Sequence, residues 1–132
     1  MAAYSLCYSY GAGMSSRAAE IGAQGEEIVA THLRSLGATI IAKNWRIKEG
    51  EIDLVARLDG ALLFVEVKTR TSDRYGHPLE AIDREKAHRL QRLALAWIAL
   101  NDMWGADFRI DCAAVHLRDR LNPVIDYRAG VL

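Results

Sequence analysis

Two acidic residues and a lysine are spaced so that one β-hairpin could place them together, with the two carboxylates as ligands for a hard divalent cation. Asp53 lies thirteen residues before Glu66, and Lys68 follows two residues later. Asp59-Gly60, between two apolar runs, is a strong signal for a two-residue hairpin loop. That loop would set Asp53 opposite Glu66, and Glu51 opposite Lys68. Like charges opposed across strands are destabilising, so the arrangement predicts a compensating cation such as a divalent metal.

The two predicted faces of this hairpin differ in polarity. One face is apolar throughout and consists of Ile52, Leu54, Ala56, Leu58, Ala61, Leu63, Val65 and Val67. The other is apolar in its middle and charged at the end away from the turn, and consists of Glu51, Asp53, Val55, Arg57, Leu62, Phe64, Glu66 and Lys68. A strand that faces solvent is normally polar along its length. We therefore expect both faces to be covered, with the charged end opening into a cleft.

Composition restricts the class of protein. The chain has 132 residues, of which 51% are hydrophobic, which is enough for a core in one domain. The 17 basic residues equal the 17 acidic residues in number, so no strong overall field attracts polyanions. Cys7 and Cys112 form no CxxC pattern, which argues against a disulfide framework or a zinc site. With no signal peptide or membrane span evident, we expect a cytoplasmic protein that has no membrane partner.

The first half of the chain predicts a tail, a helix and three strands. Residues 1–16 carry almost no charge and are expected to form a flexible tail, which leaves residues 17–132 as a single domain. Apolar residues at helical spacing predict a helix from about Arg17 to Leu36, ended by Gly37. Glu26 lies on the inward side of that helix. A strand over Thr39–Arg46 precedes the hairpin, which spans about Glu51–Thr69.

The second half predicts a long helix and a strand. A polar loop over Thr71–Pro78 leads into a helix from Leu79 to Leu100, whose apolar stripe contains Lys86. The alternating stretch Phe108–Leu117 predicts a strand, and Val124–Tyr127 a short final one. The order helix, three strands, helix, strand favours an α/β fold of mixed α+β type. Its third and fourth strands would be parallel neighbours joined by a right-handed crossover, in a mixed sheet flanked by helices.

This ordered set resembles the restriction-endonuclease-like, or PD-(D/E)xK, nuclease superfamily. Its core has the same element order, with an Asp and a Glu-x-Lys on the second and third strands. Glu26 is similar to the additional acid of the Holliday-junction-resolvase branch. Within that superfamily, the segments Gly50–Ala56 and Phe64–Arg70 resemble those of the YraN-like family, small bacterial proteins described as predicted endonucleases. The resemblance covers roughly residues 21–117 and also includes Asn44-Trp45-Arg46, Gly76, Lys86 and Arg109-Ile110-Asp111.

The resemblance implies a metal-dependent endonuclease that hydrolyses DNA, with branched or single-stranded DNA as candidate substrates. The implied catalytic residues are Asp53, Glu66, Lys68 and Glu26. The three acids, with the carbonyl of Val67, would hold Mg²⁺ or Mn²⁺, which activates water and polarises the phosphoryl oxygen. Lys68 would orient the attacking water or stabilise developing negative charge. Nucleic-acid contacts are expected at Lys86, Arg70, Arg84 and Arg46. A homodimer is compatible with cutting both strands of a duplex.

Simpler interpretations remain open for most of these residues. Asp53, Glu66 and Lys68 could form a surface ion-pair cluster. Glu26 could be an ordinary acid near the start of a helix, and Lys86 could extend past its apolar neighbours to solvent. Glu51 could be a ligand or the partner of Lys68. At the level of the whole protein, the alternative is a non-catalytic nucleic-acid-binding or assembly module that uses a nuclease-like fold.

Overall fold

The computed structural model describes residues 16–72 and 84–131, and these contain two helices and five strands. In chain order the elements are α1 (Arg17–Ser35), β1 (Thr39–Ile47), β2 (Gly50–Leu58), β3 (Ala61–Arg70), α2 (Arg84–Leu100), β4 (Phe108–His116) and β5 (Val124–Arg128). The predicted tail before Ser16, most of the polar loop after Thr71 and the predicted first turn of the long helix, with Leu79, lie outside the described residues. Neither described helix is long and apolar enough to cross a membrane.

The five strands form one mixed sheet in the order β1-β2-β3-β4-β5. β3 and β4 pair in parallel, and the other neighbours are antiparallel. A parallel pair needs a crossover connection, and α2 lies in that connection. The predicted fold class and element order are therefore confirmed, and the short final segment is the edge strand β5.

The β2–β3 turn has the geometry that its sequence predicts. Asp59 and Gly60 both have positive φ, 51° and 81°, as a type I′ hairpin turn requires. The backbone pairing then runs from Leu58–Ala61 to Leu54–Val65 in the predicted register. The register follows from the two loop residues, because no bulge interrupts these five pairs.

The helices cover opposite faces of the sheet. On one face, α1 packs Val29, Ala30 and Leu33 against a cluster that includes Leu54 and Val65. On the other face, α2 packs against the sheet in a second hydrophobic cluster, to which it contributes Leu90, Leu93, Ala94, Trp97 and Ile98. The expectation of two covered faces is confirmed.

One residue lies on the face opposite to its prediction. Ile52 belongs to the α2-side cluster, as Val55 does, whereas Leu54 faces α1. Strict alternation would have kept Ile52 and Leu54 together. The alternation fails around Asp53, next to the point where the β2–β3 pairing ends.

α1 crosses β3 very closely at Gly25. A Cβ added at Gly25 would lie 1.8 Å from Thr69 Oγ1 and 2.9 Å from Thr69 Cβ. Ser16 caps the helix by accepting a hydrogen bond from the Ala19 N–H, and Gly37, with φ of 98°, follows its end. The absence of a side chain at Gly25 thus sets how near the next residue, Glu26, comes to the sheet.

We predict that Gly25→Ala destabilises the protein by about 1–3 kcal/mol, because overpacking outweighs the higher helix propensity of alanine, about 1 kcal/mol. Gly22→Ala in the same helix is the matched control, since nothing lies within 4 Å of an added Cβ there. Urea unfolding should show Gly22→Ala equal to or more stable than wild type. Adding Thr69→Ala should recover part of the loss at Gly25. Equal stabilisation by both glycine substitutions would contradict the close crossing.

Candidate active site

A cavity of about 380 Å³ opens at the end of the β2–β3 hairpin away from the turn, between β3 and α2. It is called the acidic cavity below and is lined by Glu49, Gly50, Glu51, Asp53, Glu66, Val67, Lys68, Lys86, Arg89 and Leu90. Five residues singled out from the sequence for chemistry therefore meet in one place: Asp53, Glu66, Val67, Lys68 and Lys86. The expected cleft at the charged end of the hairpin is confirmed.

Asp53 is held by the backbone of the neighbouring strand. Its Oδ2 accepts a hydrogen bond of 2.8 Å from the Val67 N–H. The predicted cross-strand pair of Asp53 and Glu66 lies just beyond the last backbone pair, Leu54–Val65, and both acids line the acidic cavity. Burial first, and then the charge of Glu66, raise the pKa of Asp53 to about 8, against the lowering effect of the Val67 hydrogen bond. Asp53 therefore holds a proton at neutral pH unless a cation approaches.

Glu66 is the anion on which both lysines converge. Its Oε1 lies 3.0 Å from Lys86 Nζ and 3.6 Å from Lys68 Nζ. The Glu66 side chain is only 11% exposed, so these ammonium groups supply the positive charge that a buried carboxylate needs. Lys86 points inward as predicted, and it lies against Glu66.

The two lysines interact with each other, and their pKa values are shifted in opposite directions. Burial, and then the hydrogen bond with Lys86, lower the pKa of Lys68. Burial also acts to lower the pKa of Lys86, but its contacts with Lys68 and Glu66 outweigh this and raise it. Lys86 thus retains its proton more strongly, and Lys68 is the amine that loses its proton more readily.

Glu26 approaches the same acids from α1. Burial raises its pKa to about 7, a hydrogen bond with Asn44 lowers it, and the charges of Glu51 and Glu66 raise it further. Asn44 has a positive φ of 51°, a backbone conformation that Asn tolerates better than most residues. Glu26 does not line the acidic cavity, so it interacts with the other acids electrostatically from outside the cavity.

Glu51 pairs with a different residue from the one expected. It accepts hydrogen bonds from Arg46 on β1, including one of 3.0 Å from Nε, and the predicted opposition to Lys68 is wrong. The β2–β3 pairing ends too early to bring Glu51 and Lys68 face to face, whereas the β1–β2 pairing sets Arg46 beside Glu51. Arg46, predicted to contact nucleic acid, is therefore engaged in an ion pair within the sheet.

Two other predicted nucleic-acid contacts lie outside the acidic cavity. Arg84 is exposed at the first residue of α2. Arg70 ends β3, and its Nε is buried without a hydrogen-bond partner. Arg89, which the sequence patterns did not predict, also lines the acidic cavity. Its spacing of three residues from Lys86 on one helix is the signal that could have identified it.

The third buried carboxylate among the described residues belongs to a separate hydrogen-bond network. Asp111 on β4 accepts hydrogen bonds from Arg109 Nε at 2.9 Å, from the Gly130 N–H at 2.9 Å and from the Tyr127 hydroxyl. These donors satisfy its charge and fix the C-terminal segment to β4. Asp111 therefore has a structural role.

The donor set of the acidic cavity suits some metal ions better than others. Across residues 16–72 and 84–131, no three His, Cys, Asp or Glu side chains are grouped so as to hold a metal ion. Structural zinc sites need about four nitrogen or sulfur ligands. Mg²⁺ commonly takes one or two carboxylates from a protein and completes its octahedron with water and phosphate. The two carboxylates Asp53 and Glu66 fit that second requirement.

Comparison with known proteins identifies the family. Residues 25–115 match the model of the "Uncharacterised protein family UPF0102". The chain belongs to this family. It is 43% identical over 122 residues to a UPF0102 protein of Mycolicibacterium smegmatis, covering 90% of this chain and 98% of that protein. A UPF0102 protein of Beutenbergia cavernae is 49% identical over 112 residues, covering 84% and 94% of the two chains. The expected YraN-like membership is thereby confirmed, and the matched region contains the whole acidic cavity.

We predict that Asp53→Asn stabilises the metal-free protein increasingly as pH rises. The folded protein holds the Asp53 proton up to about pH 8, whereas the unfolded chain releases it near pH 3.8. Between these values the unfolded state binds fewer protons, so the contribution of Asp53 to stability falls with rising pH. Asn removes this titration and keeps an acceptor for the Val67 N–H.

Denaturation with a chelator present at about pH 5 and pH 8 measures this effect. We expect the free energy of unfolding of the variant, relative to that of wild type, to rise by at least about 1 kcal/mol between these two pH values, since one pKa unit corresponds to about 1.4 kcal/mol. Asp59→Asn in the exposed hairpin turn is the matched control for losing an acid. A large loss of stability in Asp53→Asn at either pH would contradict the assignment.

Proposed function

We propose that this UPF0102 protein is a metal-dependent endonuclease that hydrolyses phosphodiester bonds in DNA and belongs to the restriction-endonuclease-like superfamily. One observation carries the proposal: Asp53 and Glu66 are buried in one cavity together with two lysines. Burial raises the pKa of Asp53, and buried groups with perturbed pKa values are concentrated at functional sites. A surface ion-pair cluster would not require this burial.

Asp53 and Glu66 would hold Mg²⁺ or Mn²⁺, and the Val67 carbonyl is a further candidate ligand. When bound, the ion would supply Lewis-acid polarisation of the phosphoryl oxygen and a more acidic water. Glu26 lies close enough to affect both acids electrostatically, and it would act on the charge of this site from outside the acidic cavity. Its neighbour Glu27 instead pairs with Lys43 and Arg34 on the surface.

Lys68 would serve the attacking water. Its lowered pKa brings the amine nearer to its neutral form, in which the nitrogen can accept a hydrogen bond or a proton from water. Once protonated, the same group would stabilise negative charge that develops on the phosphate oxygens. Burial first, and then the interaction with Lys86, favour the neutral form of Lys68.

Lys86 and Arg89 would hold the phosphate. Both line the acidic cavity from α2, and Lys86 remains protonated at neutral pH. Phosphate oxygens accept hydrogen bonds from such groups and are fixed in register by them. The phosphate would take over the ammonium of Lys86 that Glu66 holds in the metal-free protein.

A second candidate is a nucleic-acid-binding or assembly module without catalysis. The observation that favours it is the direct Lys86–Glu66 ion pair, in which a protein cation neutralises the acid without any metal. A location in the cytoplasm and a homodimeric state stay predictions in either case.

The two candidates are separated by a cleavage assay with duplex, single-stranded and four-way-junction DNA in Mg²⁺ or Mn²⁺. We expect cutting by wild type, and a loss of about 100-fold or more in Glu66→Ala and in Lys68→Ala, because each removes a group that acts on the reacting atoms. Glu26→Gln should lose about tenfold. Binding of DNA without cutting would favour the module.

Glu27→Gln is the matched control for Glu26→Gln, since the two acids are adjacent on α1 and Glu27 faces away towards Lys43. It should cut at the wild-type rate. Cutting that persists in Glu66→Ala at the wild-type rate would refute the assignment of the site.

A further inference from the structure

A second cavity adjoins the acidic cavity along α2. It has a volume of about 340 Å³ and is called the apolar cavity below; its lining residues are Ile47, Glu49, Arg89, Arg92, Leu93 and Ala96. Glu49 and Arg89 line both cavities, so the two lie next to each other. Arg89, Arg92, Leu93 and Ala96 follow the spacing that places residues on one face of a helix.

The apolar cavity combines two kinds of surface. Ile47, Leu93 and Ala96 give it an apolar part, and Arg89 and Arg92, both exposed residues, give it a basic part. Two arginines and one glutamate give its lining a formal charge of +1. The acidic cavity has four acids and three bases in its lining, which gives −1. An anionic ligand with a flat apolar part would therefore favour the apolar cavity.

We propose that the apolar cavity binds an unpaired nucleotide next to the scissile phosphate, an inference that rests on the proposed nuclease function. The apolar part would receive the face of the base, and Arg92 would hold the adjoining phosphate while Arg89 bridges to the acidic cavity. Arginine guanidinium planes and apolar side chains both pack on base faces, without regard to sequence. The cavity volume lies near the lower limit for small-ligand sites, about 300–1,000 Å³, and so suits one nucleotide.

This geometry selects the class of substrate. In continuous duplex DNA the face of each base is covered by its stacked neighbours, and exposing it costs a few kcal/mol. A single strand, a flap or a junction with unpaired bases avoids that cost. The site therefore favours DNA with an unpaired nucleotide beside the bond that is cut.

Fluorescence anisotropy with a chelator present tests the inference independently of cleavage. The probes are a labelled thymidine strand of about twelve nucleotides, the same strand with abasic sites, and a blunt duplex of equal length. We expect the abasic strand to bind wild type about tenfold more weakly than the intact strand, the size of one base-stacking contact. Equal binding of the intact and abasic strands would overturn the proposal.

Two variants locate the effect. Ala96→Leu fills the apolar part of the cavity and should weaken binding of the intact strand about tenfold while leaving the abasic strand nearly unchanged. Ala99→Leu, an exposed site on the same helix, is its control. Arg92→Ala should weaken binding of both strands, and Arg57→Ala, near the distant hairpin turn, should weaken neither. Loss of binding in Arg92→Ala but not in Ala96→Leu would indicate phosphate contact alone and overturn the base subsite.

The outcomes also separate this inference from the proposed function. Base-dependent binding without metal-dependent cutting would refute the nuclease and keep the subsite as a nucleic-acid site. Cutting that is indifferent to the Ala96 and Arg92 substitutions would keep the nuclease and refute the subsite. Absence of binding to all three probes would overturn the subsite.

Discussion

The rest of the structure is arranged around two carboxylates, Asp53 and Glu66, that are buried in one cavity at the end of a hairpin. Burial and mutual repulsion raise the pKa of Asp53 to about 8, and Glu66 is neutralised by two lysines. Removing charge from water costs several kcal/mol unless it is paired, so such a cluster lowers stability in the folded protein. Such perturbed, buried groups are concentrated at functional sites, and this cluster is therefore the candidate site of the protein.

Each layer of the fold contributes one part of this arrangement. The β2–β3 backbone pairing ends at Leu54–Val65. Beyond this pair, the Val67 N–H donates its hydrogen bond to the Asp53 carboxylate. α1, brought close by Gly25, adds the charge of Glu26. α2 brings Lys86 onto Glu66 and extends the site through Arg89 into the apolar cavity. The sheet thus fixes the acids, while the helices supply the groups that balance their charge.

Local rules predicted the turn, the register and the element order, because Asp59-Gly60 and hydrophobic periodicity act over a few residues. They failed where an interaction between distant elements decides the outcome. Ile52 changes face beside Asp53, where a side-chain hydrogen bond follows the last backbone pair. Glu51 pairs with Arg46 because the register of β1, which contains a bulge near Ile40, cannot be inferred from a turn signal. Arg89 was not predicted for a similar reason, because the packing of α2 on the sheet determines which face of that helix lies near the acids.

The most direct test of the central claim is a crystal of the protein soaked in Mn²⁺, examined for anomalous scattering in the acidic cavity. We expect a peak within about 2.0–2.6 Å of carboxylate oxygens from both Asp53 and Glu66, the range of hard-cation ligand distances. We also expect Lys86 Nζ to move away from Glu66. A map without a peak between these two acids, with Lys86 still on Glu66 at saturating Mn²⁺, would contradict the account.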